Sequence, residues 1–183
     1  MESPTLPPCY SPAHRALHWI MAAAVIVLLA AAIGMNNVAP GPWMNRLYVL
    51  HWSLGVLVFP LVLIRIGMRF SNPPLPLPED IPGWQQRLAV ANHALLYAIL
   101  LVNPLLGYFT KSAFGGPVTF FWLVDLPPAI AKDQALFERL STAHVIIGFV
   151  MIAAIAMHVA AALYHGLIRR DGVFSRMTTG GGR

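Results

Sequence analysis

The sequence predicts an all-α protein, a transmembrane four-helix bundle running up-down-up-down. Three observations predict it. Hydrophobic residues make up 57% of the 183 residues and charged residues only 10%, against ~25% charged in ordinary soluble domains. Mean hydropathy is +0.65, more apolar surface than a chain this short can hide in one water-facing core. The few charges also divide the chain into four uncharged segments, each long enough to cross the ~30 Å hydrocarbon layer as a helix of about 17 to 25 residues or more.

The segments are taken in order. Residues 16–35 lie between Arg15 and Asn36, and residues 47–64 between Arg46 and Arg65. Residues 88–110 lie between Arg87 and Lys111, and residues 140–168 between Arg139 and Arg169. In hydrocarbon every backbone polar group needs an internal partner, so each segment is expected as a helix. The first is read as a span and not a cleaved signal peptide, since it is long, lacks a small-x-small cleavage signal and carries His18 and Trp19 near its start. Pro60 and Pro104 predict kinks inside spans two and three. Pro73, Pro74, Pro76, Pro78 and Pro82 predict an extended crossing between those spans. Thr119 to Ala131 is apolar but broken by Asp125, Pro127 and Pro128, and is expected to lie along the membrane surface. Residues 1–183 are read as one domain with a flexible tail over 171–183.

An even number of spans puts both termini on one side. That side carries Arg15, Arg65, Arg69, Arg87, Arg169, Arg170, Arg176 and Arg183; the other carries Arg46, Lys111, Lys132 and Arg139. The positive-inside rule then predicts cytoplasmic termini. The pI near 9.9 does not indicate nucleic acid as a partner, because the cations are scattered between apolar blocks and form no stripe. The expected partner is membrane lipid. A single cysteine, Cys9, excludes a disulfide framework and a thiolate metal site.

Histidines carry the functional signal. Of seven, His18, His51, His93, His144 and His158 fall inside apolar spans, where ionisable groups are costly and mark function. His144 and His158 are fourteen residues apart, which at ~100° and ~1.5 Å per residue puts both on nearly one helix face, ~21 Å apart. His51 lies five residues inside Arg46 and His144 five inside Arg139, matching them in depth near the outer face. His18 matches His158 near the inner face. Two levels of facing imidazoles are the pattern of bis-histidine haem iron sites. No carboxylate or thiolate completes a zinc or copper shell. His93, also at inner depth, competes with His18 for the inner iron, and His18 is preferred. His165 is expected as a propionate or quinone partner or an interfacial histidine; His14 is expected to be solvated. Arg65 and Arg69 could pair with haem propionates or anchor the inner surface. Gly55 and Gly148 could let a flat ring approach the backbone. A haem-free scaffold with packed histidines stays open as an alternative.

At these residues the chain resembles the bacterial cytochrome b561 family, small four-helix dihaem membrane proteins. The resemblance runs from about residue 13 to 170. It rests on Ala16-Leu17-His18-Trp19, Leu50-His51-Trp52-Ser53-Leu54-Gly55, Arg65 to Arg69 before the proline-rich crossing, Asn92-His93-Ala94-Leu95-Leu96-Tyr97, Ala143-His144 with Gly148, and His158 with His165. It implies two b haems, with His18 and His158 on the inner iron and His51 and His144 on the outer. It implies a bacterial inner-membrane location and electron exchange with the quinone pool, with ubiquinone as the acceptor. It further points to superoxide oxidase activity drawing on periplasmic superoxide, with an electron-transfer subunit for a separate redox partner as the alternative. His93, His165, Arg65 and Arg69 are the expected quinone or propionate residues.

Overall fold

The computed structural model describes residues 9–178. Four helices are long and apolar enough to cross a membrane: α1 (Pro12–Met35), α2 (Pro42–Ser71), α3 (Gly83–Phe114) and α4 (Gln134–Leu163), the last continued by a π-helical turn over Tyr164–Arg169. Each, α4 taken with its π-helical turn, is longer than the uncharged segment it contains, because the flanking residues extend it into the polar zone. The ends are set locally. Pro12 occupies the first turn of α1, where a missing N–H costs nothing, and the Ser11 hydroxyl accepts from the His14 amide. Asp133 Oδ1 caps α4 by accepting from the Leu136 amide at 3.0 Å. α3 stops at Gly115, whose φ of 102° suits glycine. Helices α2 and α3 continue through Pro60 and Pro104.

α1 packs on α2, α2 on α3 and α3 on α4, while α4 makes almost no close backbone approach to α1 or α2. The bundle is sealed at mid-height by Val25, Val58, Ile99 and Met151, one residue from each helix. Val25 stands seven residues after His18, Val58 seven after His51, and Met151 seven from both His144 and His158. Two helical turns, ~10 Å, therefore separate this apolar layer from a histidine level on either side. Outward residues such as Ile26, Ile33, Phe149 and Leu167 are exposed, as lipid-facing positions must be.

One connection has structure that hydropathy did not show, and one differs from expectation. Residues 118–126 form an antiparallel hairpin, β1 (Val118–Phe120) on β2 (Val124–Leu126), with Thr119 opposite Asp125. Its turn forces Phe121 and Trp122 to φ 45° and 59°, a region that bulky residues rarely adopt. The buried Ser53 hydroxyl holds the turn by accepting from the Phe121 amide at 2.7 Å. The segment after Arg170, expected as a mobile tail, is bonded to the bundle as far as Thr178. Trp19 Nε1 donates to the Met177 carbonyl, Arg15 to that of Thr178 and Arg176 to that of Pro76. Residues 179–183 lie outside the described residues. These bonds set both ends of the described chain at one end of the bundle, called here the terminal end; the hairpin marks the loop end.

Candidate haem-binding site

The histidines of the sequence meet at two heights. Near the loop end, His51 of α2 faces His144 of α4 with ring centroids 6.0 Å apart and planes at 87°. Near the terminal end, His18 of α1 faces His158 of α4 at 6.1 Å and 67°. A metal between two imidazoles, each bond ~2 Å, sets the centroids ~6 Å apart. The rings reach across the separation that α4 keeps from α1 and α2.

At the loop-end level the outer nitrogens are already committed. His51 Nδ1 donates to the Leu28 carbonyl of α1 at 3.0 Å, and His144 Nδ1 to the Asn103 carbonyl of α3 at 3.1 Å. A carbonyl can only accept, so each proton is on Nδ1 and each Nε2 keeps its lone pair for a metal. His144 has a fitted socket. A Cβ at Gly107 would come within 3.0 Å of His144 Cε1. Around the pair is a cavity of about 560 Å³, walled by residues of all four helices, among them Leu28, Tyr48, Trp52, Gly55, Asn103 and Lys111. That volume falls within the ~300–1,000 Å³ range of cofactor pockets. The Asn103 side-chain oxygen, buried in this wall, has no partner among the described residues. Gly148 faces open space, with nothing within 4 Å of a built Cβ.

At the terminal-end level a third imidazole joins. His93 of α3 lies 5.2 Å from His158 at 87°, its Nδ1 donating to the Ala89 carbonyl of its own helix at 2.6 Å. Arg65 donates to the His14 carbonyl, and Arg69 stacks over Tyr97 with 5.7 Å to the ring centroid. His14, expected to be solvated, ties α1 to α2 instead: Nε2 donates to the Met68 carbonyl and Nδ1 accepts from the Ser11 hydroxyl. His165 stands apart from the paired rings, joined to Asp171 at 2.6 Å; Arg169 bridges Asp171 to Asp80. Burial alone would raise the Asp171 carboxyl. Hydrogen bonds from His165, the Val173 amide and Arg169 outweigh it and hold Asp171 below the ordinary carboxylate range.

Sequence reasoning missed Gly107, Asn103, Ser53 and Asp171. The available signal for the first two was Asn103-Pro104 followed by Gly107 inside an apolar run, where Pro104 withdraws a backbone donor. Ser53 and Asp171 left none, since their partners are distant in the chain or in a segment without periodicity.

Two facing imidazole pairs in a lipid-exposed four-helix bundle define a membrane electron-transfer protein of the cytochrome b class, and comparison with known proteins agrees. The family described as prokaryotic cytochrome b561 matches residues 9–180. The chain belongs to that family, and membership implies b-type haem. Over 180 residues it is 30% identical to cytochrome b561 homolog 2 of Escherichia coli (strain K12), covering 97% of this chain and 95% of the relative. Over 170 residues it is 31% identical to cytochrome b561 homolog 1 of the same organism, covering 88% and 92%. Over 170 residues it is 25% identical to a probable superoxide oxidase CybB of Yersinia pestis, covering 92% and 94%.

The residues present fit a b haem on the chemistry of the donor set, the ring separation and the cavity around His51 and His144. At the loop end they offer imidazole nitrogens oriented by backbone carbonyls and a largely apolar wall, which suit a porphyrin iron.

Proposed function

We propose that the chain holds two b haems, His51 and His144 gripping one and His18 and His158 the other, and carries electrons between a donor at the loop end and quinone in the membrane. The observation that supports this most is the ~6 Å ring separation repeated at two heights. Haem supplies reversible one-electron chemistry. The chain's part is to hold its imidazoles neutral and oriented through Leu28 and Asn103. The apolar layer of Val25, Val58, Ile99 and Met151 keeps water from the space between the levels. The terminal end faces the cytoplasm of a bacterial inner membrane on the charge bias, ubiquinone is the acceptor, and superoxide is a donor. Arg65 and Arg69, at the terminal end of α2, are assigned to haem propionates, and His165 to a propionate or quinone.

Ligation is tested by the haem-to-protein ratio and the dithionite-reduced spectrum of the purified protein. His51→Ala and His144→Ala are expected each to lower the ratio from two to one, sparing the other centre. His18→Ala and His158→Ala do the same at the terminal end. Absence of a b-type α band in the unmutated protein ends the reading.

A second reading has its own support. The relatives at 30% and 31% identity are named only as cytochrome b561 homologues, and Asp125, Asp133 and Glu138 share the loop end with Lys111, Lys132 and Arg139. That mixed charge would steer an anion weakly and suits an electron-transfer subunit serving a separate redox partner. Oxidised protein exposed to superoxide with no partner present decides between them: prompt reduction is expected for the oxidase, and a rate equal to controls for the subunit.

A further inference from the structure

We propose that His93 is a positioning residue that accepts a hydrogen bond from the ring of His158 and thereby lowers the redox potential of the terminal-end centre. The inference rests on the haem reading above and adds to it a half-buried imidazole that neither ligand pair uses.

The two levels differ in how they hold their rings. At the loop end each Nδ1 is tied to a carbonyl of another helix. At the terminal end, among the described residues, neither His18 nor His158 has such a carbonyl. What His158 has is His93, in edge contact. Distance separates the two roles open to His93. Two ring nitrogens on one metal, with bonds of ~2 Å, need centroids ~6 Å apart, the separation of His18 and His158. Two imidazoles joined by an N–H···N bond, nitrogens ~3 Å apart, have centroids ~5 Å apart, the separation of His93 and His158 at 5.2 Å.

The protonation of His93 agrees with the second role. Its Nδ1 donates to the Ala89 carbonyl, so its Nε2 carries a lone pair and can accept. His93 is also fixed in place. It stands on α3 one residue after Asn92, whose buried amide donates to the Ala154 carbonyl of α4 at 3.2 Å, and Ala154 is one turn before His158. The same two helices that carry the rings are thus locked in register beside them. A neutral acceptor on the far nitrogen of a metal-bound imidazole makes the ligand more electron-rich and favours the oxidised metal. Removing that acceptor raises the potential.

The test uses full-length, haem-loaded protein as wild type, His93→Leu and His93→Gln. Haem-to-protein ratio, low-spin ferric EPR spectrum and potentiometric titration are taken on the same samples. In the leucine variant both haems are expected to stay, while one potential rises by ~59 mV, a tenfold fall in the oxidised-to-reduced ratio at a fixed solution potential for one electron. The other potential is unmoved. Glutamine, which keeps an acceptor oxygen, recovers at least half of the rise. If the leucine variant does not assemble, His93→Asn, too short to reach His158, takes its place under the same criteria. Both potentials within twofold of wild type in the variant without an acceptor would overturn the inference. So would loss of one haem in that variant while His18→Ala keeps two, which would make His93 the ligand. A wild type lacking two bis-imidazole haems overturns the haem reading itself, and is recognised before any variant is compared.

Discussion

A methyl group at Gly107 would come within 3.0 Å of His144 Cε1, so the ring would have to give by a few tenths of an ångström. Gly107→Ala is expected to turn the His144 ring, break its bond to the Asn103 carbonyl and lower haem occupancy at the loop end. The haem-to-protein ratio falls toward one while the helical circular dichroism stays; a ratio still at two with an unchanged spectrum would refute the socket. Ser53 is a second single-residue dependence. Its hydroxyl serves the Phe121 amide and bonds the Val49 carbonyl at 2.6 Å, with no exposure to solvent. Ser53→Ala leaves that amide unpaired and costs about 1–3 kcal/mol. Faster hydrogen exchange confined to residues 118–126 is the expected readout. The histidines themselves were legible in the chain, because an ionisable group in an apolar run stands out. Their tautomers were not, because Leu28 and Asn103 are 23 and 41 residues away from their partners.

Among the elements, the terminal strap of residues 171–178 makes a prediction of its own. Asp171 is held below the ordinary carboxylate value, so its bonds to His165 and Arg169 add stability that is complete above ~4 and is lost as pH falls through the lower folded value. Between pH 5 and 8 the Asp171 carboxyl itself therefore stays ionised. Asp171→Asn is expected to loosen the strap across that whole range, read as faster tryptic cleavage after Arg170 and Arg176; equal cleavage in variant and wild type would show that Asp171 is not what holds it. The helices were readable from length and hydropathy, and their ends extended past the uncharged runs because charged residues at the membrane surface are good helix formers. The hairpin was not readable. Its strands are three residues each and its turn contains no glycine, so it depends on Ser53 of α2.

On the scale of the whole molecule, the bundle divides into two histidine levels and an apolar layer between them. Among the described residues the cations divide seven against four between the two ends. That bias predicts a topology that reporter fusions can check. Alkaline phosphatase is expected to be active when joined within 127–131 and inactive when joined after Arg176; the reverse pattern would invert the bundle and put the electron donor on the cytoplasmic side.

What the sequence alone determined is the number of spans, their order and the depth of each histidine, since these follow from hydropathy and the fixed rise of a helix. Which rings face one another was decided by tertiary structure. Depth placed His18 and His93 at one level opposite His158, and the packing of α4 against α3 but away from α1 set the His18 ring farther from His158 and the His93 ring in edge contact with it. The difference is close to 1 Å, 6.1 against 5.2, and no periodicity along a chain can encode a lateral separation between helices.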